Sequence, residues 1–192
     1  MPKKQHCLLP CLVLLVSAAH AEMATYAVEP THTSVMFEIL HNKTSTLRGR
    51  FDKTSGSVEF DRAGRQGRAD ITVDVTSLDT GLAAFTKNLR EKNFLNVAAA
   101  PTAHFVGDKF VFDGDKVSAV EGELTLLGKS LPVSLKAQRF NCYISPLIRR
   151  EICGGDFETT IRRGDFGMDY KLSEIANDVH LVIQIEAIKQ TP

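Results

Sequence analysis

The chain has 192 residues, of which 43% are hydrophobic and 24% charged, and its 23 basic and 23 acidic residues give a formal net charge of zero. This composition is typical of a globular domain and excludes a disordered or fibrous chain. The even balance gives no electrostatic reason to expect nucleic acid or an anionic membrane surface as a partner.

The N-terminus has the three parts of a secretory signal peptide. A lysine pair at positions 3 and 4 precedes an apolar run at 7–16, and Ala19 and Ala21 follow as an A-x-A cleavage site. We therefore predict that residues 1–21 are removed after Ala21 and that the protein is periplasmic. The run is shorter than the roughly 20 apolar residues of a membrane-spanning helix, so we expect no transmembrane segment in the mature chain. Cleavage would leave 21 basic and 23 acidic residues, a net charge of −2.

Apolar and polar residues alternate at eight places after the cleavage site, a period that predicts half-buried β-strands. Turn residues separate several of these places, at 61–64, 113–115, 128–129 and 154–155. Eight strands joined by short turns predict an all-β, antiparallel sheet that closes or forms a sandwich. The alternating apolar positions are Val35, Phe37 and Ile39; Val58 and Phe60; Ile71, Val73 and Val75; Phe110 and Phe112; Leu124 and Leu126; Val133 and Leu135; Phe157 and Ile161; and Leu181, Ile183, Ile185 and Ala187.

One segment has helical spacing instead. Leu82, Phe85 and Leu89 recur with charged residues between and after them, which predicts one short helix at about residues 82–92. Asp79 or Thr80 is the expected N-cap. No linker, charge block or internal repeat divides the chain, so residues 22–192 are predicted to form one domain.

Two cysteines, Cys142 and Cys153, remain after the predicted cleavage. In an oxidising compartment they are expected to pair with each other across a hairpin connection. A redox or metal pair is the alternative, but the spacing is not C-x-x-C and no histidine lies close by in the sequence.

Signatures of catalysis and cofactor binding are absent from the sequence. It has no G-x-S-x-G motif, and no G-x-G-x-x-G opens a helix after a strand. The four histidines of the mature chain are spread along it, whereas zinc sites usually contain close pairs. We therefore expect no catalytic residue, no metal and no cofactor other than a bound lipid or quinone. The histidines are His32, His41, His104 and His180.

The interior of an eight-stranded barrel is either filled by side chains or holds one small ligand. Phenylalanines recur on or beside the predicted strands. From the residues alone, a filled aromatic core is the commoner meaning of this pattern, and a ligand cavity is the second interpretation.

Eight segments of the chain, taken in order, carry a family resemblance. They are 26–37 (YAVEPTHTSVMF) followed by His41, 48–51, 56–60, 77–81 (SLDTG), Phe94 with Pro101 and Phe105, 122–128 leading to Pro132 and Val133, 163–168 (RGDFGM) and 179–186. Together they resemble the YceI family of exported, lipocalin-like polyisoprenoid-binding proteins. The resemblance implies an eight-stranded antiparallel lipocalin-like barrel, with one helix, that encloses an elongated apolar cavity for a long isoprenoid chain.

Under this resemblance the protein binds, stores or transports a long isoprenoid lipid or isoprenoid quinone without covalent chemistry. His32 and His41 are candidates for contact with a head group, with hydrogen bonds to the backbone as an equal alternative, and Lys87 and Asn88 are candidates for the entrance. The expected apolar lining is Val35, Phe37, Ile39, Ile71, Val73, Phe94, Phe105, Leu124, Leu126, Ile183 and Ile185.

Two family histidines are replaced in this chain, by Asn88 and Leu127. The head group is therefore expected to carry less charge, as in a quinone. Arg163 and Asp165 are interpreted as a structural pair at a turn. Two other functions stay open: a barrel enzyme that acts on a lipid-like substrate with His32 or His41 as base, and a filled barrel that acts as a stress or interaction protein. The oligomeric state is also open, a dimer included.

Overall fold

The computed structural model describes residues 23–191, in which eleven β-strand segments and one α-helix follow each other along the chain. The predicted signal peptide, 1–21, lies outside these residues. The helix, α1, is Ala83–Leu89, and single 3₁₀ turns occupy Pro30–His32 and Val75–Ser77. The strand segments are β1 Ala24–Val28, β2 Ser34–His41, β3 Ser45–Phe51, β4 Thr54–Asp61, β5 Gln66–Asp74, β6 Leu78–Asp79, β7 Thr102–Asp113, β8 Lys116–Leu126, β9 Lys129–Ile144, β10 Glu151–Arg162 and β11 Ile175–Lys189.

The eleven segments make eight barrel strands, because the first three strands are each interrupted once. β1 and β2 lie end to end along β11, and they pair on their other side with β4 and β3 respectively. β5 and β6 continue the third strand along β4 and β3. Every pairing is antiparallel, and the barrel closes where β11 meets both β1 and β2. The predicted eight-stranded antiparallel barrel is confirmed.

The connections alternate between the two ends of the barrel, as antiparallel neighbours require. We call the end that contains α1 the helix end and the opposite end the hairpin end. The helix end is formed by the connections 42–44, 80–101, 127–128 and 163–174, and the hairpin end by the turns 62–65, 114–115 and 145–150.

The glycine pair at 154–155 does not form the turn that the sequence predicts, because both residues lie inside β10. A Cβ atom on Gly154 would stand 2.2 Å from the carbonyl oxygen of Ile185, and one on Gly155 would stand 2.1 Å from that of Arg139. These glycines allow β9, β10 and β11 to approach each other closely.

The helix is shorter than predicted, and neither Asp79 nor Thr80 caps it. Leu82 occupies the N-cap position, and no side chain there accepts a hydrogen bond. The Asp79 carboxylate accepts instead from the backbone N–H of Gly81, and the Thr80 hydroxyl lies 2.9 Å from that of Thr86. Within the described residues, no helix combines the length and apolar character that crossing a bilayer requires.

A cluster of aromatic side chains lies inside the barrel towards the hairpin end. There the Phe60 ring contacts the rings of four other aromatic residues, with centroid separations of 5.6 to 6.4 Å. Such aromatic contacts are worth about 0.5–1.5 kcal/mol beyond the burial of their area. Several of the aromatic side chains on which the filled-core interpretation rests therefore gather at one end of the barrel. The four rings are those of Tyr26, Phe110, Phe112 and Phe140.

The predicted disulfide is present: Cys142 and Cys153 face each other in the β9–β10 pairing and are covalently joined. The Glu151 carboxylate lies near both sulfur atoms. A cysteine binds a metal as its thiolate, so the two sulfur atoms joined in this disulfide do not serve as metal ligands. The bond joins β9 and β10 close to the turn that connects them.

Loss of this disulfide is expected to lower the free energy of unfolding by about 3 kcal/mol, because the bond restricts the unfolded chain. The measurement is urea denaturation of a Cys142→Ser/Cys153→Ser variant beside the oxidised wild type. Reduced wild type serves as the control and should match the variant. Equal unfolding midpoints for the oxidised and reduced wild type would contradict a stabilising role.

Candidate ligand-binding cavity

A cavity of about 440 Å³ lies inside the helix end of the barrel. We call it the upper cavity. Alternate residues of β2 and β8, together with residues of β3, β5, β7, β10 and β11, form its walls, because every second side chain of a barrel strand points inward. The 80–101 connection, which includes α1, and the 163–174 connection contribute most of the remaining lining. The apolar lining includes Phe37, Ile39, Leu47, Phe51, Val75, Phe85, Leu89, Phe94, Leu95, Ala103, Leu126, Ile161, Met168, Ile175 and Val179.

A second cavity of about 150 Å³, the lower cavity, lies nearer the hairpin end and has an almost wholly apolar lining. It ends against Phe60, Phe140 and Cys153. Both cavities are lined by Val35, Val73, Leu124 and Leu181, so they adjoin at these four side chains. We call this set the waist. The apolar space thus extends from α1 past the waist towards the aromatic cluster.

Most of the residues that the sequence predicts as ligand contacts line the upper or the lower cavity. Val35, Val73 and Leu124 belong to the waist. Two nominated residues, His32 and Lys87, line neither cavity. The other nominated residues divide between the upper cavity, with Phe37, Ile39, His41, Asn88, Phe94 and Leu126, and the lower cavity, with Ile71, Phe105, Ile183 and Ile185.

His32 is largely exposed, in the 3₁₀ turn between β1 and β2. Its Nδ1 atom lies 2.6 Å from Glu29 Oε2, and this hydrogen bond raises the pKa of His32 above its usual value. Burial acts to raise the pKa of Glu29, but hydrogen bonds from Thr31 and His32 outweigh it and hold that pKa at about 2. The alternation of β2 does not extend into this turn, so His32 serves the local turn and not the interior.

Lys87 lies on the exposed outer side of α1, in a shallow groove shared with β6. The next residue, Asn88, lines the upper cavity. Successive helical residues point about 100° apart, so only Asn88 of this exposed pair faces the cavity.

Two charged side chains in the lining of the upper cavity, Lys171 and Glu174, form an ion pair. Lys171 Nζ donates to Glu174 Oε2 at 3.1 Å, and this hydrogen bond raises the pKa of Lys171. His41 and Asn88 are the other polar side chains of the upper cavity apart from Tyr170 and the buried Arg163. His41 and Asn88 therefore offer hydrogen bonds in this cavity, beside a Lys171–Glu174 pair whose charges compensate each other.

Arg163 organises the connection between β10 and β11. Its buried guanidinium donates through Nε to Ala176, through Nη1 to Met168 and Tyr170, and through Nη2 to Ile175, at 2.6 to 3.0 Å from their carbonyl oxygens. Burial lowers its pKa.

The expected pair with Asp165 is replaced by these carbonyl contacts, because a loop at a strand end leaves carbonyl groups without ladder partners. The backbone oxygen of Asp165 accepts from Lys129 Nζ.

The rings of Phe94 and Tyr170 meet edge to face, with centroids 5.5 Å apart and planes at 85°. This contact joins the segment after α1 to the 163–174 connection. Sequence reasoning missed Tyr170, Lys171 and Glu174 because they lie in a loop without periodicity. It also omitted Leu181 from the lining, although its alternation with Ile183 was a usable signal.

The YceI-like domain family model matches residues 26–187. The protein YceI of Escherichia coli O157:H7 is 33% identical over 180 residues, which is 92% of this chain and 93% of that protein. A UPF0312 protein of Pseudomonas aeruginosa is 32% identical over 179 residues, with the same coverage.

Two solved structures show the same fold. BcnA of Burkholderia cenocepacia aligns with a TM-score of 0.66 and 23% identity, over 83% of this chain and 99% of that one. A polyisoprenoid binding domain from Saccharophagus degradans, implicated in plant cell wall breakdown, aligns with a TM-score of 0.63 and 16% identity, over 88% and 100%.

Proposed function

The chain belongs to the YceI-like domain family, and from this premise we propose that its barrel binds a long isoprenoid lipid or isoprenoid quinone, for storage or transport in the periplasm. The observation that carries this function is the pair of apolar cavities that adjoin at the waist. The name of the Saccharophagus degradans domain supports the same ligand class.

Burial of the isoprenoid chain in the apolar cavities supplies the affinity for the ligand. Each CH₂ group removed from water contributes about 0.8 kcal/mol, so a chain of many carbons needs few polar contacts. The lower cavity suits the apolar tail because its lining is almost wholly apolar. Binding of this kind needs no catalytic residue, metal or further cofactor.

The upper cavity suits an uncharged head group. Lys171 and Glu174 neutralise each other, and the Arg163 donors are engaged by carbonyl groups. His41 and Asn88 remain as hydrogen-bonding groups of the lining. A quinone carbonyl or a hydroxyl head matches these groups better than a diphosphate, which would need cationic partners.

Purification from the periplasm, followed by native mass spectrometry and organic extraction, tests this function. We expect one isoprenoid molecule per protein, recovered with unchanged mass. Delipidated protein should take up an isoprenoid quinone in preference to a straight-chain fatty acid. A protein that stays empty when offered isoprenoids contradicts the function, and release of a chemically altered lipid would favour the barrel enzyme.

A further inference from the structure

The tip of the β9–β10 hairpin exposes apolar side chains that the barrel core does not use. Leu147 is 92% exposed, Ile144 65%, Ile148 46% and Tyr143 44%. We call residues 143–150 the hairpin tip. Large apolar side chains grouped on one exposed loop are typical of a surface that binds a protein, a membrane or a ligand.

Cationic residues accompany these apolar side chains. The stretch 140–150 contains Arg149 and Arg150 and no acidic residue. Arg150 donates to the carbonyl oxygen of Lys189, whereas Arg149 is exposed. Other turns at the hairpin end carry mixed charge, since Arg65 lies 3.9 Å from Asp115. The near-neutral balance of the whole chain therefore hides a local cationic segment.

The hairpin tip is braced by a disulfide beside it and by backbone hydrogen bonds within it. The disulfide between Cys142 and Cys153 closes its base, and the buried Ser145 exchanges backbone hydrogen bonds with Arg149 and Arg150, each 2.9 Å long. Association therefore requires little ordering of this loop, which lowers the entropic cost of binding.

We propose that the hairpin tip docks on the surface of a bilayer that contains anionic lipids. Exposed Leu and Ile side chains would enter the acyl boundary, Tyr143 suits the head-group level, and Arg149 would attract anionic head groups. The tip spans eight residues, fewer than the 20–30 on each side of a stable protein interface. This area favours a membrane over a second protein.

Docking in this way sets the orientation of the barrel. The hairpin tip lies at the end opposite α1, so the mouth of the upper cavity would face away from the bilayer. As a way for a lipid carrier to stay at its source membrane, this docking rests on the proposed function. The docking itself needs no bound isoprenoid.

Flotation with isoprenoid-free vesicles of phosphatidylethanolamine and phosphatidylglycerol tests the docking. Wild-type protein is expected to float with these vesicles. Ile144→Ser/Leu147→Ser should weaken partitioning roughly tenfold or more, because two apolar side chains are lost. Arg149→Gln should weaken it about fivefold, with no effect on pure phosphatidylcholine vesicles. Leu82→Ser, at the exposed Leu82 of the helix end, is the matched control and should leave partitioning unchanged.

Wild-type protein that does not float, or equal flotation of the Ile144→Ser/Leu147→Ser variant, would overturn the docking. A larger loss in Leu82→Ser would do the same, because it would place the contact at the helix end. Self-association without vesicles that disappears in Ile144→Ser/Leu147→Ser would show an interface between copies instead. Isoprenoid content is measured on the same preparations, so a loaded protein that does not float refutes the docking and leaves the proposed function intact.

Discussion

Leu124→Trp is expected to exclude long isoprenoid chains from the barrel while short ones still bind in the upper cavity. Leu124 lines both cavities at the waist, and an indole there would block the passage between them. A long chain would then lose the burial of its distal carbons. At about 0.8 kcal/mol per CH₂ group, exclusion of one five-carbon unit weakens binding at least roughly hundredfold.

The measurement is a competition between isoprenoid quinones with long and short tails for delipidated protein. Glu123→Trp is the matched control, since the neighbouring residue is exposed on the outside of β8 and should leave both affinities unchanged. The larger side chain enters existing space, so overpacking should cost no more than about 1–3 kcal/mol of stability. Long tails that bind Leu124→Trp as tightly as wild type would show that the two cavities do not serve one ligand.

The cavity walls could be predicted from the sequence because strand periodicity is a direct consequence of backbone geometry. Val35, Phe37 and Ile39 point to one face of an uninterrupted strand, and all three line the upper cavity. Strand alternation does not apply to His32, because this residue lies in the 3₁₀ turn Pro30–His32 that precedes β2. Strand periodicity therefore assigns an inward direction to these three residues and none to His32.

The glycine pair in β10 shows a different limit. Glycine is common in turns because it adopts positive φ angles, but it also permits close approach of neighbouring backbones. Gly154 and Gly155 serve the second purpose, and only the positions of β9 and β11 distinguish the two. Local composition does not contain that information.

The mouth of the cavity was the least predictable part. Tyr170, Lys171 and Glu174 lie in a loop, where no period assigns an inward or outward direction. Their positions depend on hydrogen bonds between Arg163 and distant carbonyl groups. The sequence shows that Arg163 and Asp165 have opposite charges and therefore favours a pair between them. It does not show which carbonyl groups lack a hydrogen-bond donor after folding.

Because of those carbonyl contacts, substitution of Arg163 should destabilise the fold strongly. Arg163→Met keeps much of the side-chain volume but leaves four carbonyl oxygens without their donor. An unsatisfied buried acceptor costs about 1–3 kcal/mol. Some of these oxygens will reach water once the loop loosens, so we expect a total loss of about 3–5 kcal/mol in the free energy of unfolding.

Urea denaturation of Arg163→Met beside Arg162→Met measures this effect, because Arg162 is the exposed neighbour on β10 and should change stability by less than about 0.5 kcal/mol. Arg163→Lys should recover only part of the loss, since an ammonium group lacks the planar fork that reaches carbonyl groups on several sides. Isoprenoid affinity should fall together with stability in Arg163→Met, because the loop that carries Tyr170 loses its anchor. Equal unfolding midpoints for the two methionine variants would show that the carbonyl contacts of Arg163 do not hold the mouth of the barrel.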